Sequence, residues 1–210
     1  MRFPVLIFDF CNVVVCVNYA TMFEKFGPRL GISPQQFETM VHARGAARLC
    51  REFESGFIGA EEFARQITAI AGLDMTFQEF EEVWPDIFTL NEPVARLAAG
   101  LKRNGYTLLL TSITNVQQAT QSRRQFADAL AAFDHFVYSY EIGEMKPEPG
   151  FFKACVDAVG VPAGSCVFID DAEANVAGAR AAGLLGIVYR SPASLVQDLR
   201  RLDVEVPDFY

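Results

Sequence analysis

Five apolar segments recur along the chain, and each has the composition of a buried strand. The first, residues 3–9, is continuously apolar and ends at the carboxylate of Asp9, which is typical of a parallel strand covered on both faces. The others span residues 106–112, 135–140, 166–170 and 185–189. Apolar residues at helical spacing occupy most of the intervals, so the order of elements predicts an α/β fold with a doubly wound parallel sheet.

The interval from residue 17 to residue 88 interrupts this alternation and offers no segment with a convincing strand pattern. It contains helix starts instead: Ser33 is followed three residues later by Gln36, and Thr76 by Glu79, which are capping boxes. Apolar stripes in this interval are more often packing surfaces than ligand surfaces. We therefore expect an inserted α-helical cap, residues 17–88, on a Rossmann-like catalytic core formed by residues 1–16 and 89–210.

Composition narrows the possible partners of the chain. The 210 residues are 51% apolar and carry a net charge of −8, which argues against nucleic acid and anionic membranes as partners. The cysteines are scattered and odd in number, five in all, without a C-x-x-C pair, which favours the reducing cytoplasm. Asp9 lies inside the N-terminal apolar run and argues against a secretion signal. We expect a cytoplasmic protein, monomeric or homodimeric.

Polar residues stand at the ends of the predicted strands. Asp9 ends the first strand, Thr111 and Ser112 end the second, and the pair Asp170-Asp171 follows the fourth, while Lys146 lies in the loop after the third. In an open parallel sheet, ligands bind outside the carboxyl ends of the strands. Two unit charges 4 Å apart repel by about 4 kcal/mol at an effective dielectric near 20. Clustered carboxylates therefore favour Mg²⁺ together with the ammonium group of Lys146.

Four motifs resemble those of the haloacid dehalogenase (HAD) superfamily of hydrolases. The first motif is Phe8-Asp9-Phe10-Cys11-Asn12-Val13-Val14, most similar to the subgroup that reads FDLGNV and includes sugar-phosphate phosphatases. The others are, in order, Leu110-Thr111-Ser112-Ile113-Thr114-Asn115, Lys146-Pro147 and Ile169-Asp170-Asp171-Ala172-Glu173-Ala174-Asn175. The resemblance covers the whole chain, including a helical cap with Glu54-Ser55-Gly56.

The resemblance implies a role for each motif residue. Asp9 is the expected nucleophile, which forms an aspartyl-phosphate, and Lys146 is expected to neutralise phosphate charge. Ser112, with Thr111 as its alternative, is expected to bind the phosphoryl group, and Asn12 joins this substrate-binding set. The implied Mg²⁺ ligands are Asp9, the backbone carbonyl of Cys11, Asp170 and Asp171. Asn175 is expected to brace them.

Two departures from the family pattern concern turnover and substrate. Cys11 stands where active phosphatases usually carry a second Asp, although the FDLGNV subgroup also lacks it, and Ile113 stands where Asn is common. The predicted function is magnesium-dependent hydrolysis of small phosphomonoesters, with sugar phosphates among the candidates. A metal-free haloacid dehalogenase and a catalytically weak phosphate-binding protein of the same fold remain alternatives. Cap residues that could contact the substrate are His42, Arg44, Arg48 and Arg51.

Overall fold

A five-stranded parallel sheet forms the centre of the molecule. The computed structural model describes residues 2–84 and 87–207. The strands of the sheet lie in the order β5-β4-β1-β6-β7, with bounds β1 Val5–Asp9, β4 Thr107–Ser112, β5 His135–Tyr138, β6 Cys166–Asp170 and β7 Leu185–Val188. All their pairings are parallel. The predicted fold class is confirmed.

The third predicted strand is shorter than expected. It ends at Tyr138, and residues 139 and 140 begin a short helix instead of continuing the strand to residue 140. The apolar run of Phe136, Val137, Tyr138 and Tyr140 suggested a longer strand, but the chain turns at Ser139, whose hydroxyl group bonds to neighbouring loops.

Twelve α-helices surround the sheet within the described ranges. Five lie in the interval from residue 17 to residue 88: α1 Ala20–Phe26, α2 Pro34–Ala43, α3 Ala46–Glu54, α4 Ala60–Ala71 and α5 Phe77–Val83. Seven lie after this interval: α6 Glu92–Arg103, α7 Val116–Gln125, α8 Ala127–Leu130, α9 Ser139–Ile142, α10 Pro149–Val159, α11 Glu173–Ala181 and α12 Pro192–Arg201. None of these helices is both long and apolar enough to cross a membrane.

Local sequence signals explain where the inserted helices begin and how they pack. Ser33 and Thr76 each form the expected capping box, with Gln36 and Glu79 as the reciprocal partners. Aromatic rings fill the space between the helices. The ring of Phe63 stacks on that of Phe53 at 4.3 Å between centroids and meets the Trp84 ring edge-on at 4.8 Å. Phe63, the first residue of the apolar stripe of α4, is therefore part of the packing between the helices.

Two short strands lie at the ends of the interval with the inserted helices and overlap it only at residues 17 and 88, while residues 18–84 contain no strand. β2, Val15–Val17, pairs antiparallel with β3, Phe88–Leu90. Each strand has only three residues, too few for an alternating pattern to be visible in the sequence. They form because the chain leaves and re-enters the core side by side, which brings the two segments into register. The assignment of residues 17–88 to a separate cap stays a prediction.

Candidate active site

A buried lysine joins two carboxylates at the carboxyl edge of the sheet. The Nζ atom of Lys146 lies 2.6 Å from Oδ1 of Asp9 and 2.7 Å from Oδ2 of Asp170. Asp9 is 4% exposed, Lys146 6% and Asp170 0%. The three charges are thus removed from water and compensate one another, and charge-assisted hydrogen bonds of this length are strong.

The fold brings these three groups together from distant parts of the sequence. Asp9 and Asp170 are the last residues of the adjacent strands β1 and β6. Lys146 lies in the loop that precedes α10, and its ammonium group is 5.8 Å from the ring centroids of both Phe151 and Phe168. Strand order reverses around β1, and this is the position where ligands bind in doubly wound sheets.

The lysine loop depends on a close approach of helix α11. A Cβ atom added to Gly178 would lie 2.6 Å from the carbonyl oxygen of Pro147 and 2.8 Å from the ring of Phe152. Real Cβ atoms essentially never come so close to another heavy atom. Glycine at this position therefore allows α11 to pack directly on the backbone that carries Lys146.

Hydrogen bonds fix the orientation of Asp170. Its Oδ1 accepts a hydrogen bond from the backbone N–H of Ala172 at 2.9 Å. The side-chain Nδ2 of Asn175 lies 3.0 and 3.1 Å from the two carboxylate oxygens. Asn175 therefore lies where the sequence placed it, beside an acidic residue of the fourth motif and on the first turns of α11.

Asp171 adds a third carboxylate. Carboxylate oxygens of Asp9, Asp170 and Asp171 lie within 4.8 Å of one another, and Asp171 is the exposed member of this group. Asn12 donates to Oδ2 of Asp171 at 3.3 Å. Lys146 alone cannot balance three negative charges, so the donor set fits a hard divalent cation such as Mg²⁺, which prefers carboxylate oxygens.

The predicted phosphate-binding residues differ in what their hydroxyl groups contact. Thr111 is buried, and its Oγ1 donates to the carbonyl oxygen of Phe8 at 3.3 Å, inside the sheet. Ser112 is adjacent to the first motif, with its Oγ 3.7 Å from Sγ of Cys11. Its hydroxyl also donates to the carbonyl of Ile113 at 3.2 Å. Of the two residues, Ser112 faces the first-motif loop.

Burial dominates the electrostatics of this crevice. It raises the pKa of Asp9 to about 7, against the opposing effect of the Lys146 charge. Burial would lower the pKa of Lys146, but the negative charges of Asp9 and Asp170 outweigh it and raise that pKa above its usual value. Burial, followed by the charge of Asp9, raises the pKa of Cys11 to about 12.

Comparison with known proteins identifies the family. The sequence matches the haloacid dehalogenase-like hydrolases over residues 4–183. The chain belongs to this family. The prediction of a HAD-like hydrolase is therefore confirmed.

This hydrolase matches a different share of each of two curated relatives. D-ribitol-5-phosphate phosphatase of Bacteroides thetaiotaomicron is 24% identical over 178 residues, which are 81% of this chain and 84% of the relative. Bifunctional epoxide hydrolase 2 of Rattus norvegicus is 29% identical over 119 residues, which are 54% of this chain but only 21% of that protein. The hydrolase thus matches about a fifth of the latter protein.

A solved structure shows the same fold. A HAD family enzyme of Bacteroides thetaiotaomicron, in complex with magnesium and inorganic phosphate, superposes with a TM-score of 0.76 at 22% identity. The superposition covers 90% of the hydrolase and 94% of that chain. At this identity the likeness establishes the fold.

Ser139 connects the inserted helices of the hydrolase to the loop after Ser112, and the sequence alone did not indicate this contact. The hydroxyl of Ser139 donates to the carbonyl oxygen of Glu54 at 2.6 Å and accepts from the backbone N–H of Thr114 at 2.9 Å. Glu54 ends α3, and Thr114 is two residues after Ser112. The Glu54-Ser55-Gly56 motif was a signal for this contact, but its partner could not be read from the sequence.

Two of the four basic residues that the sequence suggested as substrate contacts have protein partners. Arg44 donates to the carbonyl oxygen of Ile70 at 2.8 Å. Arg48 lies 3.6 Å from Glu52 and its side chain is 82% exposed. His42 lines a cavity among the inserted helices, together with Phe37 and Trp84.

Proposed function

We propose that this hydrolase cleaves small phosphomonoesters with the help of Mg²⁺, through a covalent phosphate on Asp9. The observation that carries the proposal is the buried group of Asp9, Lys146 and Asp170 with Asp171 beside it. A carboxylate nucleophile held next to a cation in a crevice suits attack on an anionic phosphoryl group.

The proposed reaction has two steps. An oxygen of Asp9 attacks phosphorus, the bond from phosphorus to the ester oxygen breaks, and the alcohol leaves with a proton. Water then attacks the aspartyl-phosphate and loses a proton, which releases inorganic phosphate and restores Asp9. Lys146 and the backbone N–H of Phe10, which lies 2.8 Å from Oδ1 of Asp9, hold the carboxylate in one orientation.

The residues that would hold Mg²⁺ are Asp9, Asp170, Asp171 and the backbone carbonyl of Cys11. A bound Mg²⁺ would neutralise phosphate charge and align the phosphoryl group with the nucleophile. Ser112 and Lys146 would contact the phosphoryl oxygens. Asn12 donates a hydrogen bond to Asp171, which supports a role for it beside the cation and the substrate.

The relatives support the phosphatase assignment. One curated relative is named as a sugar-alcohol phosphate phosphatase, and a structural neighbour was solved with magnesium and inorganic phosphate. Both are consistent with a phosphorylated small molecule as the substrate. Paired acidic residues at the end of β6 also favour a metal-dependent phosphatase over a metal-free dehalogenase.

The thiol of Cys11 does not take part in proton transfer in this proposal. With its pKa near 12, it stays protonated at neutral pH and cannot accept a proton from water. Its contribution is then its backbone carbonyl and its packing against Ser112. The leaving alcohol must obtain its proton from water or from another side chain.

The decisive experiment measures phosphate release from a panel of phosphomonoesters with Mg²⁺ and with excess chelator. Asp9→Asn keeps the side-chain shape but removes the nucleophile, so activity should fall by at least about 10⁴-fold. Asp157→Asn is the matched control, because Asp157 pairs with Lys153 on the exposed face of α10. Full activity in chelator or in Asp9→Asn would contradict the proposal.

A further inference from the structure

A cavity of about 310 Å³ lies among the inserted helices. Its walls are mainly aromatic and aliphatic, with Phe23, Phe26, Phe37, Ile67, Phe80 and Trp84 among the lining residues. A volume of this size is at the lower end of small-molecule sites. At about 30 Å³ for each water-sized group, it holds on the order of ten non-hydrogen atoms.

Two residues of the cavity lining connect it to the loop that follows Ser112. These residues are Glu54 and Gln118. The carbonyl of Glu54 shares the hydroxyl of Ser139 with Thr114, and the side chain of Gln118 accepts from Thr114 Oγ1 at 3.3 Å. Glu54 also contributes to the electrostatic environment of Cys11. The side of the cavity that Glu54 and Gln118 form is therefore the side linked to the first and second motifs.

Aromatic rings form much of the cavity wall. The ring of Trp84 stacks on that of Phe80 at 5.3 Å between centroids, and the ring of Phe26 stacks on that of Phe80 at 6.1 Å. All three residues line the cavity, so a ligand in this space would contact aromatic surface.

We infer that this cavity receives the apolar part of the substrate, so that the preferred substrates are phosphomonoesters of alcohols with an alkyl or aromatic group. The inference rests on the proposed function and names its substrate class. The phosphate would bind at Lys146 and Ser112, and the alcohol would extend past Glu54 into the aromatic walls. A small sugar phosphate has no apolar surface to bury there.

The test compares ethyl, butyl, hexyl and octyl phosphate with glucose 6-phosphate. Burial of each methylene should raise kcat/KM about three- to fourfold until the cavity is full. The kcat/KM for glucose 6-phosphate should be well below the kcat/KM for hexyl phosphate. A kcat/KM that does not change with chain length, in an active enzyme, would overturn the inference while the proposed function stands.

Variants that fill the cavity test whether the preference for longer alkyl phosphates originates there. Ala71 is buried at the end of α4 and lines the cavity, so Ala71→Leu should reduce the preference for hexyl over ethyl phosphate at least tenfold. The control Ala69→Leu adds the same atoms to the exposed face of α4 and should keep the wild-type preference. If Ala71→Leu does not fold, Ala46→Leu fills the cavity from α3. A wild-type preference in a folded filling variant would overturn the inference.

A binding measurement separates this inference from the proposed function. Trp84 is the only tryptophan in the sequence, so its fluorescence reports on the cavity directly. In the Asp9→Asn protein, octyl phosphate should shift the emission with saturation, and inorganic phosphate should not. Saturable binding of octyl phosphate to Asp9→Asn, together with a wild-type protein that releases no phosphate from any ester, would support the cavity and refute the reaction. No fluorescence response to octyl phosphate would refute the cavity assignment.

Discussion

Two carboxylates in this hydrolase have opposite surroundings. Asp170, at the end of β6, is fully buried, is paired with Lys146 and accepts hydrogen bonds from Ala172 and Asn175. Glu54, at the end of α3, is half-buried beside the cavity among the inserted helices, where burial, opposed by the charge of Arg51, raises its pKa to about 7. Charge is compensated where the chemistry is proposed and uncompensated where the substrate's apolar part is proposed to bind.

This difference indicates a division of tasks between the two regions. In the compensated cluster, the ammonium group of Lys146 and the hydrogen bonds to Asp170 offset part of the cost of burying the carboxylates. An aromatic cavity gains little from charge and instead recognises apolar surface. Mutations at the two carboxylates, or at the residues that position them, should therefore change stability in opposite directions.

The largest expected effect follows from removal of the buried cation. Lys146→Met leaves Asp9 and Asp170 without their shared partner, so the free energy of unfolding should fall by about 3–5 kcal/mol and phosphatase activity should be lost. Urea unfolding checks the stability. Lys153→Met is the control, because its salt bridge to Asp157 on the same α10 region is exposed and contributes about 0.5 kcal/mol or less. Equal stability of the two variants would show that Lys146 does not compensate the buried carboxylates.

The second prediction concerns the uncompensated carboxylate. The pKa of Glu54 is raised from 4.5 to about 7 in the folded protein. Between these values the unfolded chain is ionised while the folded chain holds the proton, so stability falls as pH rises through this window. Glu54→Gln abolishes this loss. The free energy of unfolding of the variant should equal that of the wild type near pH 4 and exceed it by about 2 kcal/mol at pH 8.

Urea unfolding at pH 4, 5.5, 7 and 8 measures this difference. The difference in free energy of unfolding between the variant and the wild type should develop between pH 4.5 and about 7 and change little at higher pH. A variant that is less stable than the wild type at pH 8 would show that Glu54 has a compensating partner.

The smallest expected effect concerns the packing of α11 against the loop that carries Lys146. Gly178→Ala places a methyl group 2.6 Å from the carbonyl oxygen of Pro147, so α11 or the lysine loop must shift. We expect a loss of about 1–2 kcal/mol together with reduced activity. Gly164→Ala is the control, because its added methyl group meets nothing within 4 Å. If both variants behave like the wild type, Lys146 tolerates movement of its loop.

The sequence predicted the parts of the fold that depend on local pattern. The five core strands and the capping boxes at Ser33 and Thr76 follow from runs and spacings of a few residues. The meeting of Asp9, Lys146 and Asp170 was also predictable, because the carboxyl ends of parallel strands share one edge. The roles of these residues in catalysis stay predictions.

Contacts between the inserted helices and the core were not predictable. The bond between Ser139 and Glu54 joins residues 85 positions apart, and no local pattern encodes it. The same holds for Gly56, where an added Cβ would lie 2.3 Å from the carbonyl of Tyr140. The cavity also depends on how several helices pack together, which one sequence does not specify. These features arise from docking and need the structure.

The β2–β3 ribbon has a consequence for how such enzymes can diversify. Val17 pairs with Phe88 across the ribbon, and the N–H of Asn18 bonds to the carbonyl of Ile87 at 2.8 Å. The two ends of the intervening segment are therefore neighbours, and insertions whose ends are close disturb a host fold little. A different helical insert of another length could be grafted between these two residues. The inserted helices can thus be exchanged in evolution while the strand edge that bears Asp9 stays unchanged.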